Sequence, residues 1–308
     1  MSKILVTGGA GFIGSTLVDK LISEGHEVAV IDNLVSGKKE YVNPAAKFYQ
    51  VDIAASEVAE IFKTERFEFV YHLAAQMEVS KSMLDPKFDN AVNVLGAFNI
   101  LENARLNGVK KIVFSSTGGA IYGDATEIPT PETYPTYPVS FYGIHKLTFE
   151  KYLNCYRHEY GLDYTVLRFA NVYGPRQYKG GEAGVITIFI YNAVKGLESA
   201  QYGDGKQTRD FVYVDDVVAA LSRARVVSYQ GEINIAYGIE TDLLEIRQDI
   251  SKALGKEFAV KLAPARPGEQ RRSCLNRDLA KKILSWEPTV ALEEGIKRTI
   301  EWAKSVNF

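Results

Sequence analysis

Near its start the chain passes from a β-branched run, Ile4-Leu5-Val6-Thr7, straight into Gly8-Gly9-Ala10-Gly11-Phe12-Ile13-Gly14 and then into an apolar helical pattern. Gly9, Gly11 and Gly14 fit G-x-G-x-x-G, and Gly8, Gly11 and Gly14 fit the G-x-x-G-x-x-G variant. Glycine at these points allows a tight turn, close backbone approach to a pyrophosphate, and close packing of helix on strand. The helix that begins at Phe12 and Ile13 then turns free N–H groups and a partial positive charge toward the phosphates. Asp32 follows Gly14 by 18 positions (32 − 14), at the end of the next expected strand. A carboxylate there accepts from adenosine ribose hydroxyls and repels a 2′-phosphate, so the cofactor expected is NAD rather than NADP.

The first half alternates strand and helix patterns. Strands are expected at Ile4–Thr7, Val28–Ile31, Phe48–Val51, Phe69–His72, Ile112–Ser115 and Thr165–Phe169. Their nearly continuous apolar character fits parallel strands buried on both faces. Ile13, Leu17, Leu21 and Ile22 share one helical face, and Val92, Leu95, Phe98 and Leu101 share another. Such alternation predicts an α/β fold, a doubly wound Rossmann-type parallel sheet. A smaller, discontinuous C-terminal α/β domain should follow. Residues 1–170 plus about 212–236 are assigned to the cofactor domain, and 171–211 plus about 237–308 to a substrate domain. Strands are expected at Val212–Val214 and Ile233–Ala236, with Asp215 capping a helix through Leu221. Further helices are expected at Val185–Val194, Leu243–Leu254 and Leu292–Ala303.

A formal net charge of -2 gives no basic face for nucleic acid. No apolar run reaches the roughly 18 residues of a membrane span. The first residues run directly into a strand without a leader pattern, so no signal peptide is expected and a cytoplasmic location follows. Cys155 and Cys274 have no metal or disulfide spacing and are expected as buried thiols. His26, His72, His145 and His158 show no metal spacing either; His72 is expected to serve the core or a hydrogen bond.

Tyr142 and Lys146 stand at i and i+4, on one helical face. A free phenol titrates at about 10. A neighbouring ammonium and an oxidised nicotinamide both favour the phenolate, which makes Tyr142 a plausible base for a sugar hydroxyl. Ser115-Ser116-Thr117 closes an expected strand, where ligands of open α/β sheets bind, and a hydroxyl there can relay the proton.

Together these features resemble the extended short-chain dehydrogenase/reductase family, in its nucleotide-sugar epimerase and dehydratase branch. Besides the glycine turn, the carriers are Asp32-Asn33-Leu34, Val51-Asp52-Ile53, His72-Leu73-Ala74-Ala75, Asn93, Phe114-Ser115-Ser116-Thr117, Tyr122-Gly123-Asp124, Tyr142 with Lys146, Leu167 to Pro175, and Arg209 to Asp216. The resemblance covers nearly the whole chain. It implies that Asn33, Ser36, Gly37, Asp52, Ile53, Leu73, Ala74, Ala75, Gln76, Asn93 and Ser115 join the glycines, Phe12, Ile13 and Asp32 around NAD. Asp52 and Ile53 would flank adenine, and Asn93 would face the cofactor cleft. Lys146 would hold the nicotinamide ribose. Asn171, Val185, Gln201, Tyr202, Arg209, Arg266 and Glu269 would bind the UDP-sugar, the arginines through its diphosphate. A homodimer through a four-helix bundle built on Val92, Leu95 and Phe98 is also implied.

Two departures from the family pattern bear on the reaction. The loop before Tyr122 is one residue longer than in many relatives, so Ser116 or Thr117 is the relay, Thr117 being favoured. Gly118-Gly119 stands where dehydratases carry an Asp-Glu pair, so chemistry beyond C4 oxidation is disfavoured. The activity implied is NAD-dependent 4-epimerisation of a UDP-hexose, UDP-glucose or UDP-galactose, through a 4-keto sugar. Ser273 stands where a bulky residue can narrow the sugar pocket, so N-acetylated sugars would fit. The alternatives are epimerisation of UDP-N-acetylglucosamine or a UDP-uronic acid, a net-redox nucleotide-sugar reductase, and a non-catalytic NAD-sensing protein.

Overall fold

Along strand β1, Lys3–Thr7, Ile4 and Val6 point into one apolar layer and Leu5 into another, and all three are fully buried. Side chains alternate across a strand, so a strand apolar on both sides needs cover on both sides. Burying each such side chain contributes about 1.5–3 kcal/mol, which fixes β1 inside the sheet. The other strands follow suit in a computed structural model that describes residues 1–177, 180, 184–265 and 270–306.

The remaining strands are β2 Glu27–Ile31, β3 Lys47–Tyr49, β4 Phe69–His72, β5 Lys111–Thr117, β6 Asp163–Phe169, β7 Asn171–Tyr173, β8 Ser199–Tyr202, β9 Thr208–Tyr213, β10 Glu232–Ile235, β11 Glu240–Asp242 and β12 Val260–Ala263. Seven of them form a parallel sheet in the order β10-β6-β5-β4-β1-β2-β3. Helices Phe12–Ser23 and Val214–Ala224 cover one face through Leu17 and Leu221. Helices Ala97–Leu106 and Phe141–Tyr160 cover the other through Ile100, Phe149 and Leu153. This is the doubly wound Rossmann-type fold expected. The strand order reverses between β1 and β4, and the crevice at their carboxyl ends is where such sheets bind ligands.

Two smaller sheets, β11-β9-β7 and β12-β8, are built from the later segments. Several boundaries differ from the sequence expectation. β3 ends at Tyr49, and Val51 lies beyond it. Val212 and Tyr213 close a strand of the three-stranded sheet, whereas Val214 already opens a helix. Tyr213, not Asp215, is the residue before that helix; Asp215 and Asp216 occupy its first turn, where negative charge suits the helix dipole. β10 does return to the large sheet, beside β6. Helix Leu243–Leu254 opens on a capping box formed by Asp242 and Glu245. Cys274 is buried, but Cys155 is exposed because it falls on the outward side of helix Phe141–Tyr160. Among the described residues no helix is long and apolar enough to cross a membrane.

One carboxylate ties the sheet edge to its neighbours. Glu65, only 5% exposed, takes Lys47 Nζ at 2.5 Å, Tyr49 OH at 2.5 Å and Lys3 Nζ at 2.6 Å. Burial alone would push its carboxyl up, but these three donors outweigh it and hold it at about 2, below the ordinary 4.5. A depressed carboxylate contributes stability above its unfolded pKa and loses it as pH falls toward the folded one. Glu65→Gln is therefore expected to lower the thermal midpoint clearly at pH 7 and hardly at all near pH 2, as read by circular dichroism at both pH values.

Candidate active site

The turn after β1 is built by contacts too close for side chains. Gly8 adopts φ +72, and a Cβ there would meet Ala74 N, in the turn after β4, at 2.7 Å. A Cβ on Gly14 would lie 2.1 Å from Gly8 O. Gly8 N donates to Ile31 O at 2.9 Å, and Gly11 N to Gly8 O at 3.1 Å. The first-turn N–H groups of helix Phe12–Ser23 are thereby brought to a cradle that a Cβ would fill. That cradle fits a dinucleotide pyrophosphate.

Around it lies a cavity of about 450 Å³. Gly8, Gly11, Phe12, Ile13 and Gly14 line one part of it, and Asp32, Asn33, Ser36, Asp52 and Ile53 another. Asp32 is 8% exposed; its Oδ2 accepts from Ala10 N at 3.0 Å and its Oδ1 from Leu34 N at 2.8 Å. Burial pushes this carboxyl up, against those two bonds. Asp52 accepts from Asn33 Nδ2 at 2.8 Å and from Ala54 N at 2.8 Å, so the two acidic turns are joined. Leu73, Ala74, Ala75 and Gln76 line the wall beyond β4.

Two residues expected at the cofactor are set back from the lining. Gly37 packs behind Asp32 and Ala10, where its Cβ would meet Ala10 Cβ at 2.9 Å. Asn93, 3% exposed, clamps the backbone of Gln76 by donating to Gln76 O at 2.8 Å and accepting from Gln76 N at 3.0 Å. Its amide is spent on that loop and on Asp89, to whose Oδ1 it also donates at 3.0 Å.

Tyr142 and Lys146 line the same cavity, together with Ser115 and Ser116. Helix Phe141–Tyr160 starts where the Ser140 side chain caps Gly143 N at 3.2 Å. Lys146, 3% exposed, donates to Ser115 O at 3.0 Å, and its ammonium lies 5.9 Å from the centre of the Tyr142 ring. Burial pushes Lys146 down to about 8, and the charges of Asp89 and Glu150 resist that shift. His72 is buried to 1% and shares a 2.7 Å hydrogen bond with Thr7 Oγ1. Burial, aided by the Lys146 charge, drives it down to about 3, so it is neutral.

The three hydroxyls at the end of β5 have different duties. Ser115 Oγ donates to His72 O at 3.2 Å. Ser116 Oγ donates to Glu150 Oε1 at 2.7 Å, and Glu150 is itself gripped by Arg168 through bonds of 3.1 and 2.5 Å. A relay must accept one proton and release another, and the Ser116 proton is already engaged. Thr117 Oγ1 accepts from Ala120 N at 3.3 Å, which leaves its own proton for a further partner. Thr117 is not among the residues lining the cavity, whereas Ser116, one position before it, is. Gly118 fits under Leu275, where a Cβ would come within 2.3 Å of Leu275 Cδ1, so no carboxylate side chain enters there without moving that wall.

Among the described residues, those expected at the sugar nucleotide lie outside the lining of this cavity. Asn171 opens β7, opposite Phe211 of β9, and Arg209 lies two positions before Phe211. Arg209 Nη1 donates to Thr208 O at 2.8 Å. Gln201 is buried and accepts from Arg247 Nη1 at 2.8 Å, which makes it a support. Tyr202 pairs with Ala263 of β12. Val185 is the first residue of helix Val185–Lys195 and packs partly on the core. Arg266 and Glu269 fall outside the described residues. Ser273 is half-buried, in the stretch that Asp210 pins by accepting from Leu275 N at 3.2 Å.

Sequence reasoning missed six polar lining residues: Lys38, Tyr41, Glu78, Lys81, Arg176 and Gln177. Arg176 holds φ 70 and donates to Asp19 Oδ2 at 2.8 Å, bridging to helix Phe12–Ser23. Its position just past Gly174-Pro175, near a strand end, was the available signal.

With this geometry in view, similarity to known proteins is informative. Residues 4–236 match the NAD dependent epimerase/dehydratase family. A UDP-glucose 4-epimerase of Mycolicibacterium smegmatis is 43% identical, with 98% of this chain and 99% of that protein covered. The crystal structure of the Thermotoga maritima UDP-glucose 4-epimerase with UDP-glucose has a TM-score of 0.96 at 47% identity, covering 98% of this chain and 99% of that one. The Thermus thermophilus UDP-glucose 4-epimerase complex with NAD has a TM-score of 0.94 at 43% identity, covering 98% of this chain and 99% of that one.

The clash of a residue-14 Cβ with Gly8 O sets an expectation. Gly14→Ala should weaken NAD binding by about tenfold or more, each tenfold being about 1.4 kcal/mol. Calorimetric titration of the stripped protein measures this.

Proposed function

Because the chain belongs to the NAD-dependent epimerase/dehydratase family, we propose that it interconverts UDP-glucose and UDP-galactose by transient oxidation at C4. The observation that carries this reading is one cavity holding both the glycine cradle with Asp32 and the Tyr142–Lys146 pair. Gly8, Gly11 and Gly14 would hold the cofactor pyrophosphate, and Asp32 the adenosine ribose. When bound, NAD would supply reversible redox capacity for oxidation at C4.

The chain's own residues manage the proton and the orientation. Tyr142, as the phenolate, takes the proton of the sugar 4-hydroxyl and becomes the neutral phenol, with Thr117 Oγ1 as the bridge. Lys146, anchored on Ser115 O, places a positive charge beside the phenol and favours its anion. Asn171 and Arg209, with Arg266 and Glu269, would tether the diphosphate and nucleoside. A tether remote from C4 lets the keto sugar turn without leaving. The packed Gly118 supports epimerisation over water loss, since no acid sits at that position. The half-buried Ser273 favours a roomy sugar pocket, so UDP-N-acetylglucosamine belongs in the assay beside UDP-glucose.

The same reading includes a homodimer. Leu95 is 59% and Phe98 39% exposed on adjoining turns, and Phe98 meets Tyr152 of the neighbouring helix at 5.7 Å. Exposed aromatic and aliphatic groups on two paired helices fit a bundle with a second copy. A cytoplasmic location is part of it too, supported by two free thiols, one of them exposed.

The purified protein should convert UDP-glucose to UDP-galactose, resolved by chromatography, with no net change in nicotinamide absorbance. Stoichiometric consumption of NADH would show a reductase instead. Tyr142→Phe should lower kcat by about 100- to 10,000-fold while UDP still binds, since the phenol acts on the proton and not on the nucleotide. Leu95→Glu combined with Phe98→Glu should convert a dimer to a monomer in light scattering; an unchanged mass would remove the bundle from the account.

A further inference from the structure

Asp89 is fully buried and is not among the residues lining the cavity. Its Oδ1 accepts from Gln76 Nε2 at 2.7 Å and from Asn93 Nδ2 at 3.0 Å, and its Oδ2 lies 2.5 Å from His145 Nδ1. A buried carboxylate without donors costs several kcal/mol, so three convergent donors mark a site the fold has specified closely. Gln76 lines the cofactor cavity beyond β4. His145 directly precedes Lys146 and follows Tyr142 by one turn. Asp89 thus spans from the Gln76 loop that lines the cavity to the helix that bears the phenol and the ammonium.

The surroundings make this span rigid. Asn93 belongs to the π-helical turn Ala91–Gly96, an irregularity that re-aims side chains and recurs at functional sites. The His145 ring stacks on Phe141 with centroids 6.2 Å apart. Tyr142 N donates to Ser82 Oγ at 3.1 Å, a second tie on the same helix end.

We infer that the Asp89–His145 pair is a positioning device that sets the Tyr142–Lys146 helix against the Gln76 loop. The inference rests on the epimerase reading and deepens it. Neither residue lines the cavity; they act through Gln76, Tyr142 and Lys146. Proton transfer tolerates little displacement, and a shift of about 1 Å can cost on the order of 100-fold in rate.

The test compares wild type with His145→Phe, His145→Asn and Asp89→Asn, each with kcat, KM for UDP-glucose and thermal midpoint. His145→Phe keeps a planar ring against Phe141 but removes the donor. It should lower kcat by about 10- to 100-fold, with KM within about twofold because the nucleotide tether is untouched. His145→Asn restores a short donor and should recover most of kcat; Asp89→Asn should resemble His145→Phe. An active wild type with unchanged kcat in His145→Phe overturns the inference alone. So does a fall in thermal midpoint and kcat that His145→Asn does not relieve, since that marks mere packing. Should His145→Phe not fold, the Asn variants decide: wild-type kcat in Asp89→Asn overturns the inference. A wild type inactive on UDP-glucose overturns the reading and the inference with it.

Discussion

The approach of Gly8 to Ala74 governs the architecture of the site. β1 and β4 are neighbours in the sheet, but their following segments depart to opposite sides. The two turns can open a crevice between them only if their backbones pass nearly in contact at its floor. Gly8 meets Ala74 N closely enough to exclude any side chain, and its left-handed backbone is one that only glycine adopts cheaply. The helix that starts at Phe12 then aims its N-terminus into the crevice, and the Ala74–Gln76 wall faces it. Everything the cavity can bind follows from this.

Behind the phenol and ammonium, buried polar networks replace the hydrocarbon that usually fills a sheet–helix interface. Glu150 and Arg168 are both nearly inaccessible and bind each other at two points. Arg168 continues to Tyr122 OH at 2.9 Å, and Tyr122 to Asn234 Oδ1 at 2.9 Å. The chain of contacts joins β5, β6, β10 and the helix that bears Tyr142 and Lys146. Such a pair adds little net stability, because desolvation offsets most of the attraction. Its value lies in fixing one arrangement. It engages the Ser116 proton and so separates the duties of neighbouring hydroxyls on β5.

Much of this was legible in the sequence, for identifiable reasons. β1, β4 and the helix Leu243–Leu254 were readable because apolar spacing reports them locally. The glycine turn was readable because steric exclusion leaves few residue choices. Tyr142 and Lys146 were readable as an i, i+4 pair. The remainder depended on what meets in space. That Asn93 serves Gln76 rather than the cavity, and that Gly37 packs against Ala10 behind Asp32, follows from contacts between turns 17 and more than 20 residues apart. Arg176 lines the cavity while held by Asp19, 157 positions away, and that tie, unlike its place after Gly174-Pro175, has no local signal. Cys155 is exposed although thiols are usually buried, because the helix face it occupies has no covering layer in the single chain.

The account stands on one idea: a single cavity both grips a dinucleotide and presents C4 of a UDP-sugar to Tyr142. Isotopic labelling at that carbon tests it most directly. UDP-glucose carrying deuterium at C4 is incubated with the protein in ordinary water, and the UDP-galactose formed is examined by mass spectrometry and NMR. The account predicts that the label is retained, at C4, in the inverted product. Loss of the label to solvent, or product without C4 label, would contradict it.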